Sequence, residues 1–390
     1  FRDVKLADFK EALADGRIEY IGDALIERYY AAVMAQALRP ELGKAAGLRL
    51  VYTPLNGSGL VPVMTVLKRM GHTDITVVPE QEQPNGDFPT CPYPNPEILE
   101  AMQLGLNLCE KLGADLLLAT DPDSDRVGTA VLQNGTPRLI SGNEMGVLLL
   151  DYLIGALRRA GKMPEKPVFL KSIVTTNMAR TVAEANGVTC CDTFTGFKFL
   201  AQKKDQLEES GQGKVIFSYE ESYGYMLGDY VRDKDAVTAS LMLTEMAAWY
   251  AGQGMTLYDA LQALFAKYGH YGEKTLNLVM PGLDGLKKMA ALMDALRQQP
   301  PADIGGTQVV CRKDYQDGSV VDVKTGEKTT MELSGSNVLR FELADGTSVL
   351  VRPSGTEPKV KVYVLTQGDS QAQCDERVAR YAAWAERLKQ

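Results

Sequence analysis

Apolar residues recur first at helical spacing. Leu6, Phe9 and Leu13, then Ile21, Leu25, Tyr29 and Val33, predict a mostly helical segment over 5–38. The pattern then shortens. Leu48–Tyr52 is a continuous apolar run of strand length, followed by a Gly-rich loop (Thr53–Gly59), a helix (Val61–Met70) and a strand (Ile75–Val78). That order is a β-loop-α-β unit. Residues 84–97, rich in Pro, Asn and Gly, predict an irregular connection. A helix over Pro96–Leu112 and strands over Asp115–Thr120 and Val127–Leu132 follow.

A similar pattern repeats. Gly142–Arg159 predicts a helix, Val168–Val174 a strand, Thr176–Ala185 a helix and Val188–Cys191 a short strand. Phe197–Glu209 (helix), Val215–Tyr219 (strand), and helices at Asp235–Tyr250 and Thr256–Tyr268 complete it. The last hundred residues differ. A strand (Lys274–Val279) and a helix (Gly285–Arg297) precede strands at Thr307–Arg312, Asn337–Leu343, Ser348–Arg352 and Val360–Leu365, with Gly346 at a hairpin and a terminal helix over Ser370–Leu388. The expected fold is two consecutive three-layer α/β domains with mixed sheets, then a smaller α+β domain with an antiparallel sheet. The division is 1–40 as a helical linker, 41–162, 163–270 and 271–390, with the last boundary within Gly269–Gly282.

Composition agrees with several soluble domains: 390 residues, 45% hydrophobic and 24% charged. A net charge of −8 disfavours nucleic acid and anionic membrane, so an anionic substrate needs a local basic pocket. No apolar run reaches membrane-spanning length, and Asp151 interrupts the stretch Met145–Leu157. Six cysteines without CxxC spacing and only two histidines argue against zinc and for reduced thiols in a cytoplasmic protein.

Three loops carry chemistry. Asp121-Pro122-Asp123-Ser124-Asp125-Arg126 follows an apolar strand, where α/β folds place ligands. Three Asp at i, i+2 and i+4 can face one side of an extended loop, and such crowding favours a bound hard cation. An EF-hand is excluded, because its sixth position would be Arg126 and its twelfth Leu132. A solvated acidic turn and a dehalogenase-type nucleophile are the alternatives. Next, Arg352-Pro353-Ser354-Gly355-Thr356-Glu357-Pro358-Lys359 offers a guanidinium, two hydroxyls and a close-approach amide to a phosphate, or is a plain hairpin turn. Tyr219-Glu220-Glu221-Ser222-Tyr223-Gly224 can accept from vicinal sugar hydroxyls. Thr193–Lys198 and Arg232-Asp233-Lys234-Asp235 add small residues and cations. The latter reads equally as a surface charge cluster.

Together and in this order, these loops resemble those of the α-D-phosphohexomutase family. TPLNGSG (Thr53–Gly59), PNGDFPTCPYPNPE (Pro84–Glu97) and GDYVRDKDAV (Gly228–Val237) look most like its long phosphoglucomutase branch, which includes phosphopentomutases and glucose-1,6-bisphosphate synthases. The resemblance covers essentially the whole chain. It implies four domains around a cleft, of which this chain supplies the last three. The expected missing domain carries the active-site serine, usually followed by His-Asn-Pro; His72 and His270 lie in no such loop.

By resemblance, Asp121, Asp123 and Asp125 would hold Mg²⁺, and Arg126 would approach the transferring phosphoryl group. Glu220 and Ser222 would grip sugar hydroxyls, with Thr195 and Gly196 opposite, while Arg352, Ser354, Gly355 and Thr356 would hold the non-reacting phosphate. Lys234 is the expected general acid/base, a role that calls for a lowered pKa. The implied reaction passes a phosphoryl group from phosphoserine to a phosphosugar, through glucose 1,6-bisphosphate as intermediate and activator. This chain alone is expected to be inactive. Two departures stand out: Asn56 replaces a common histidine, and Gly224 stands where dual-specificity enzymes often have one. Phosphopentomutase, phosphomannomutase and bisphosphate synthase stay open, as does a non-catalytic sugar-phosphate binding module.

Overall fold

The computed structural model describes residues 4–282, 284–355 and 358–389. The N-terminal segment is helical only in part, as α1 (Phe9–Ala14) and α2 (Asp23–Met34). The stretch between them is not helical, and Leu6, Phe9, Ile21 and Leu25 stay exposed. Only the end of α2 reaches the core, through Tyr30 and Val33. The short α3 (Leu42–Ala45) follows.

The first sheet contains β1 (Leu50–Thr53), β2 (Ile75–Val77), β3 (Leu116–Thr120), β4 (Val127–Gln133) and β5 (Thr136–Ile140), ordered β2-β1-β3-β4-β5. β1 is parallel to β2 and β3, whereas β3-β4 and β4-β5 are antiparallel. Alternate side chains on one strand build two layers. Leu116 and Leu118 face α4 (Leu60–Arg69), while Leu117 and Ala119 face α5 (Leu99–Leu112). Strand β5 escapes pattern reading because most of its residues are solvated. Helix α5 begins at Leu99 rather than Pro96, since Asn95 and Ile98 are held in a turn.

The second sheet is β6 (Pro167–Ser172), β7 (Thr189–Thr193), β8 (Lys214–Glu220) and β9 (Gly224–Met226), ordered β7-β6-β8-β9 with only the last pair antiparallel. One face packs on α8 (Phe197–Glu209) through Phe197, Leu200 and Leu207. The other carries Phe169, Phe217 and Tyr219, covered by α6 (Gly142–Arg159) and α7 (Asn177–Ala185). A Cβ on Gly146 of α6 would lie 2.1 Å from the Tyr219 ring, so α6 sits directly on this sheet. Sequence order places α6 with the first sheet, but its packing belongs to the second. Helix α9 (Ala236–Ala251), after the second sheet, packs on β9 of that sheet and also on α4, β3 and β4 of the first. Helix α9 is buried from Ala236 to Ala248, which suits a helix apolar on all sides. Its buried Glu245 accepts from Leu38 N–H (3.0 Å), Arg39 N–H (2.9 Å) and Tyr152 Oη–H (2.7 Å), tying down the end of the N-terminal segment. Helix α10 (Leu257–Tyr268) opens on a Thr256/Asp259 capping box. No helix among the described residues is long and apolar enough to cross a membrane.

The third sheet is antiparallel throughout. It holds β10 (His270–Val279), β11 (Asp303–Ile304), β12 (Thr307–Asp314), β13 (Ser319–Asp322), β14 (Lys328–Thr330), β15 (Leu339–Leu343), β16 (Ser348–Pro353) and β17 (Lys359–Gly368). The stretch read as the last domain boundary is therefore itself strand, from His270 onward. Helices α11 (Gly285–Gln298) and α12 (Gln371–Glu386) cover one face through Met289, Met293 and Tyr381. The opposite face, with Tyr315, Leu350 and Tyr363, packs on Ile173 and Val174 beyond β6. This contact brings the loop after β16 toward the second sheet.

At that junction burial pushes the Glu273 carboxyl up to about 7, with Glu144 adding to the shift and Thr176 opposing it. Between its unfolded value near 4.5 and 7, folded Glu273 keeps a proton that the unfolded chain has lost. Its contribution to stability therefore falls as pH rises through that window. Glu273→Gln is expected to stabilise the chain at pH 8 by roughly 1–3 kcal/mol, discounted for partial exposure, and far less at pH 5. Thermal unfolding at both pH values checks this; a gap independent of pH would reject it.

Candidate active site

Strand β3 is buried along its whole length and delivers Asp121 at its C-terminal end. The Asp121 side chain is 1% exposed and is a local hub. One oxygen accepts from the N–H groups of Asp125 (3.1 Å) and Arg126 (2.9 Å), the other from Arg126 Nε (2.6 Å). Ser124 turns the loop with φ 57°, and its N–H bonds to the Asp121 carbonyl. Asp123 and Asp125 then come round so that one oxygen of each of the three carboxylates lies within 4.8 Å of the others. Burial pushes the Asp121 carboxyl up, and Arg126 only partly offsets this. Three converging hard oxygen donors, one desolvated, fit a divalent cation. Arg126 Nη1 also reaches Glu97 (3.2 Å), in the irregular stretch before α5.

The loop Thr53–Gly59 braces this arrangement. Leu55 and Asn56 both adopt positive φ, 48° and 58°. Ser58 donates from N–H (2.8 Å) and Oγ (3.0 Å) to the Pro122 carbonyl. A Cβ on Gly57 would stand 2.3 Å from Pro122 Cα. Asn56 points elsewhere, its Nδ2 donating to the Gln83 carbonyl at 2.9 Å. Sequence reading marks this loop without giving it a task; the glycine at the Pro122 contact is the signal that could have done so. Gly57→Ala is expected to push the acidic loop away, weakening Mn²⁺ binding roughly tenfold and costing about 1–3 kcal/mol of stability. A Mn²⁺ titration with thermal unfolding checks it, and unchanged affinity would clear the loop of any positioning role.

The hairpin β8–β9 presents Glu220, Glu221, Ser222 and Tyr223 at its tip, with Tyr223 at φ 67°. The two acids diverge. Glu220 accepts from Gly196 N–H at 2.6 Å, at the start of α8. Glu221 turns inward to Thr175 Oγ1 (3.2 Å) and Ser172 Oγ (3.4 Å), a bracing role that adjacency alone does not reveal. Burial and its neighbour Glu221 push Glu220 up, opposed by the Gly196 N–H, Lys234 and Arg352. Ser222 is half-buried, and Thr195 Oγ1 is buried without a hydrogen-bond partner among the described residues.

The acidic loop and the hairpin are joined through the backbone. Arg126 and Gly224 form an antiparallel bridge, and Val127 N–H donates to the Tyr223 carbonyl (3.1 Å). Lys234 closes the ring from a third segment, with Nζ 2.8 Å from Asp125 and 3.1 Å from Asp233. Burial pulls the Lys234 ammonium down, but these two carboxylates outweigh it and its pKa lies above the ordinary lysine value. That is opposite to the lowered value the sequence reading called for: Lys234 is held here as a cation.

Arg352 lies on β16, paired with Lys361 on β17. Its charge is felt at Glu220 and at Tyr363. Lys361, whose charge reaches Glu221, is a basic residue the motif reading passed over. Ser354 N–H bonds to the Lys359 carbonyl (2.8 Å) and Gly355 is exposed. Thr356, and Glu357 beside it, lie outside the described residues.

The acidic loop and the β8–β9 hairpin meet directly, and the charge of Arg352 from the third sheet reaches Glu220 beside them. Models described as phosphoglucomutase/phosphomannomutase, alpha/beta/alpha domain II, alpha/beta/alpha domain III and C-terminal domain match residues 27–135, 141–268 and 276–383. The chain belongs to the phosphoglucomutase/phosphomannomutase family. It is 32% identical over 335 residues to a phosphoglucomutase of Staphylococcus haemolyticus, covering 86% of this chain and 60% of that protein. It is 35% identical over 331 residues to a Schizosaccharomyces pombe protein named "Probable phosphoribomutase", covering 83% and 56%. The chain thus spans a little over half the length of these curated relatives. In fold it is similar to pp63/parafusin (phosphoglucomutase) from Paramecium, in its open form, with a TM-score of 0.63 and 16% identity over 93% of this chain and 62% of that one.

Proposed function

We propose that this chain forms the metal-, sugar- and phosphate-binding part of a phosphoglucomutase interconverting glucose 1-phosphate and glucose 6-phosphate. The observation that carries the reading is the set of contacts Asp125–Lys234, Arg126–Gly224 and Gly196–Glu220, which gathers four segments of the chain in one place. The reactive phosphoserine would come from residues outside this sequence. A glucose 1,6-bisphosphate intermediate would turn over in the cleft between two transfers.

Asp121, Asp123 and Asp125 would hold Mg²⁺, which when bound would draw charge from phosphoryl oxygens. Arg126, kept in place by Asp121 and Glu97, would approach the same group. Lys234, as an ammonium, would supply the proton to the sugar oxygen as the phosphoryl group leaves it, and the amine so formed would take the proton from the sugar hydroxyl in the reverse transfer. Glu220 and Ser222 would accept from and donate to sugar hydroxyls, with Thr195 Oγ1 and Gly196 opposite. Arg352, Ser354, Gly355 and Thr356 would hold the non-reacting phosphate in either orientation of the sugar. The six cysteines are all unpaired, which fits the reducing cytoplasm we propose as its location.

A pentose substrate is the second reading, favoured by the identity to the Schizosaccharomyces pombe protein. A coupled assay on the whole protein, with Mg²⁺ and trace glucose 1,6-bisphosphate, separates the two. Turnover of ribose 1-phosphate above glucose 1-phosphate would move the assignment to the pentose. Phosphosugar binding without turnover of either would leave a binding module.

A further inference from the structure

Gly224 opens β9, paired with Glu220 and bridged to Arg126. Its φ is not in the left-handed region, so the backbone itself does not demand glycine here. The space around it does. A Cβ at this position would lie 2.4 Å from Lys234 Cδ, 2.9 Å from Lys234 Cγ and 2.9 Å from Phe197 Cε2. Real Cβ atoms do not approach carbon that closely, so the lysine stem would have to move. On the other side, the Lys234 ammonium stands 5.0 Å from the centre of the Phe197 ring, a cation–π distance. Phe197 is 5% exposed and is the first residue of α8, so it is a fixed wall. The stem therefore lies against a bare strand backbone, with the edge of the Phe197 ring next to both. At its end Nζ meets Asp125 at 2.8 Å, leaving the side chain 19% exposed.

The geometry points to Gly224 as a positioning residue: the missing side chain opens the slot through which Lys234 reaches the acidic loop. Phe197 forms the other wall. The catalytic meaning of this placement rests on the mutase reading; the placement itself does not. The chemistry of the slot is steric and one-sided. Any residue other than glycine would lift the stem off β9, and Nζ would lose Asp125 before the backbone lost its bridge to Arg126.

The test is made first on this chain, with Lys234 acetylation by a water-soluble acylating reagent followed residue by residue by mass spectrometry. Gly224→Ala should speed modification of Lys234 roughly fivefold or more, because an amine freed from its carboxylate and its slot is more accessible. Neighbouring Lys198 and Lys203 should keep their rates. Gly224→Ala combined with Phe197→Leu should return Lys234 toward its parent rate, since the smaller wall gives the stem room again. An unchanged Lys234 rate in Gly224→Ala overturns the proposal. So does a rise spread over all three lysines that Phe197→Leu fails to reverse, which would mean local unfolding. Where a preparation turns over glucose 1-phosphate, Gly224→Ala should lower kcat roughly tenfold or more, with KM within about threefold. A labelling shift in a protein inert toward glucose 1-phosphate and other phosphosugars would keep the positioning role and reject the mutase reading.

Discussion

Asp123→Ala is expected to remove divalent-metal binding while leaving the metal-free chain intact. Asp123 is the exposed member of the triad and makes no hydrogen bond that organises the loop, unlike Asp121. Its removal relieves carboxylate repulsion, so the metal-free chain should unfold at the parent temperature or slightly above. A ligand that binds only the folded state raises the unfolding temperature, and the parent should show this with Mn²⁺ or Mg²⁺. The variant should not, its affinity falling by roughly a hundredfold or more, since even outer partners of a metal site cost about 10–100-fold. In the whole protein, turnover should fall roughly a thousandfold, in line with the several kcal/mol a metal lends to phosphoryl oxygens. A metal-dependent rise in unfolding temperature that survives in Asp123→Ala would place the ion elsewhere.

Lys234→Met is expected to have the second largest effect, with two opposite signs. Methionine keeps the length of the stem along Gly224 and Phe197 but removes the ammonium. In the whole protein kcat should fall about 10²–10⁴-fold with KM little changed, the range for losing a general acid/base. On this chain alone, Mn²⁺ should bind several-fold more tightly, because Asp125 no longer has a cation 2.8 Å away to give up. Weaker Mn²⁺ binding would show that Lys234 shapes the acidic loop rather than competing with metal for it. A kcat within a few-fold of the parent would assign the proton transfer to another group.

Much of the site could be read from residue order. Three aspartates at alternate positions after a buried strand do converge, but through a turn at Ser124 and not along the extended loop that the spacing suggests. The glutamate pair at the end of β8 does sit at a hairpin tip. What residue order did not disclose is the division of labour. Glu220 faces Gly196 and Glu221 faces Ser172 and Thr175, since neighbouring residues on a strand end point to opposite sides. Lys361 went unnoticed because its significance comes from Arg352 on the neighbouring strand. The raised pKa of Lys234 was equally hidden, as it depends on a carboxylate from another sheet.

The elements themselves show the same boundary. Long periodic segments such as α6, α8 and α12, and apolar runs such as β3, follow from contacts within one or two turns or along one strand. Short or solvated strands such as β5, β9 and β14 do not, because their conformation is imposed by a pairing partner. The packing of α6 on the second sheet and of α9 across both sheets lies beyond local pattern altogether. An all-round apolar helix declares that it is buried, but the surface it meets is chosen by volume, as at Gly146 against Tyr219. The sequence by itself determined the long elements, the three candidate loops and the family they belong to. Only the tertiary structure decided which oxygen faces which cation, and through which slot Lys234 arrives, because those relations are between residues that no short-range periodicity connects.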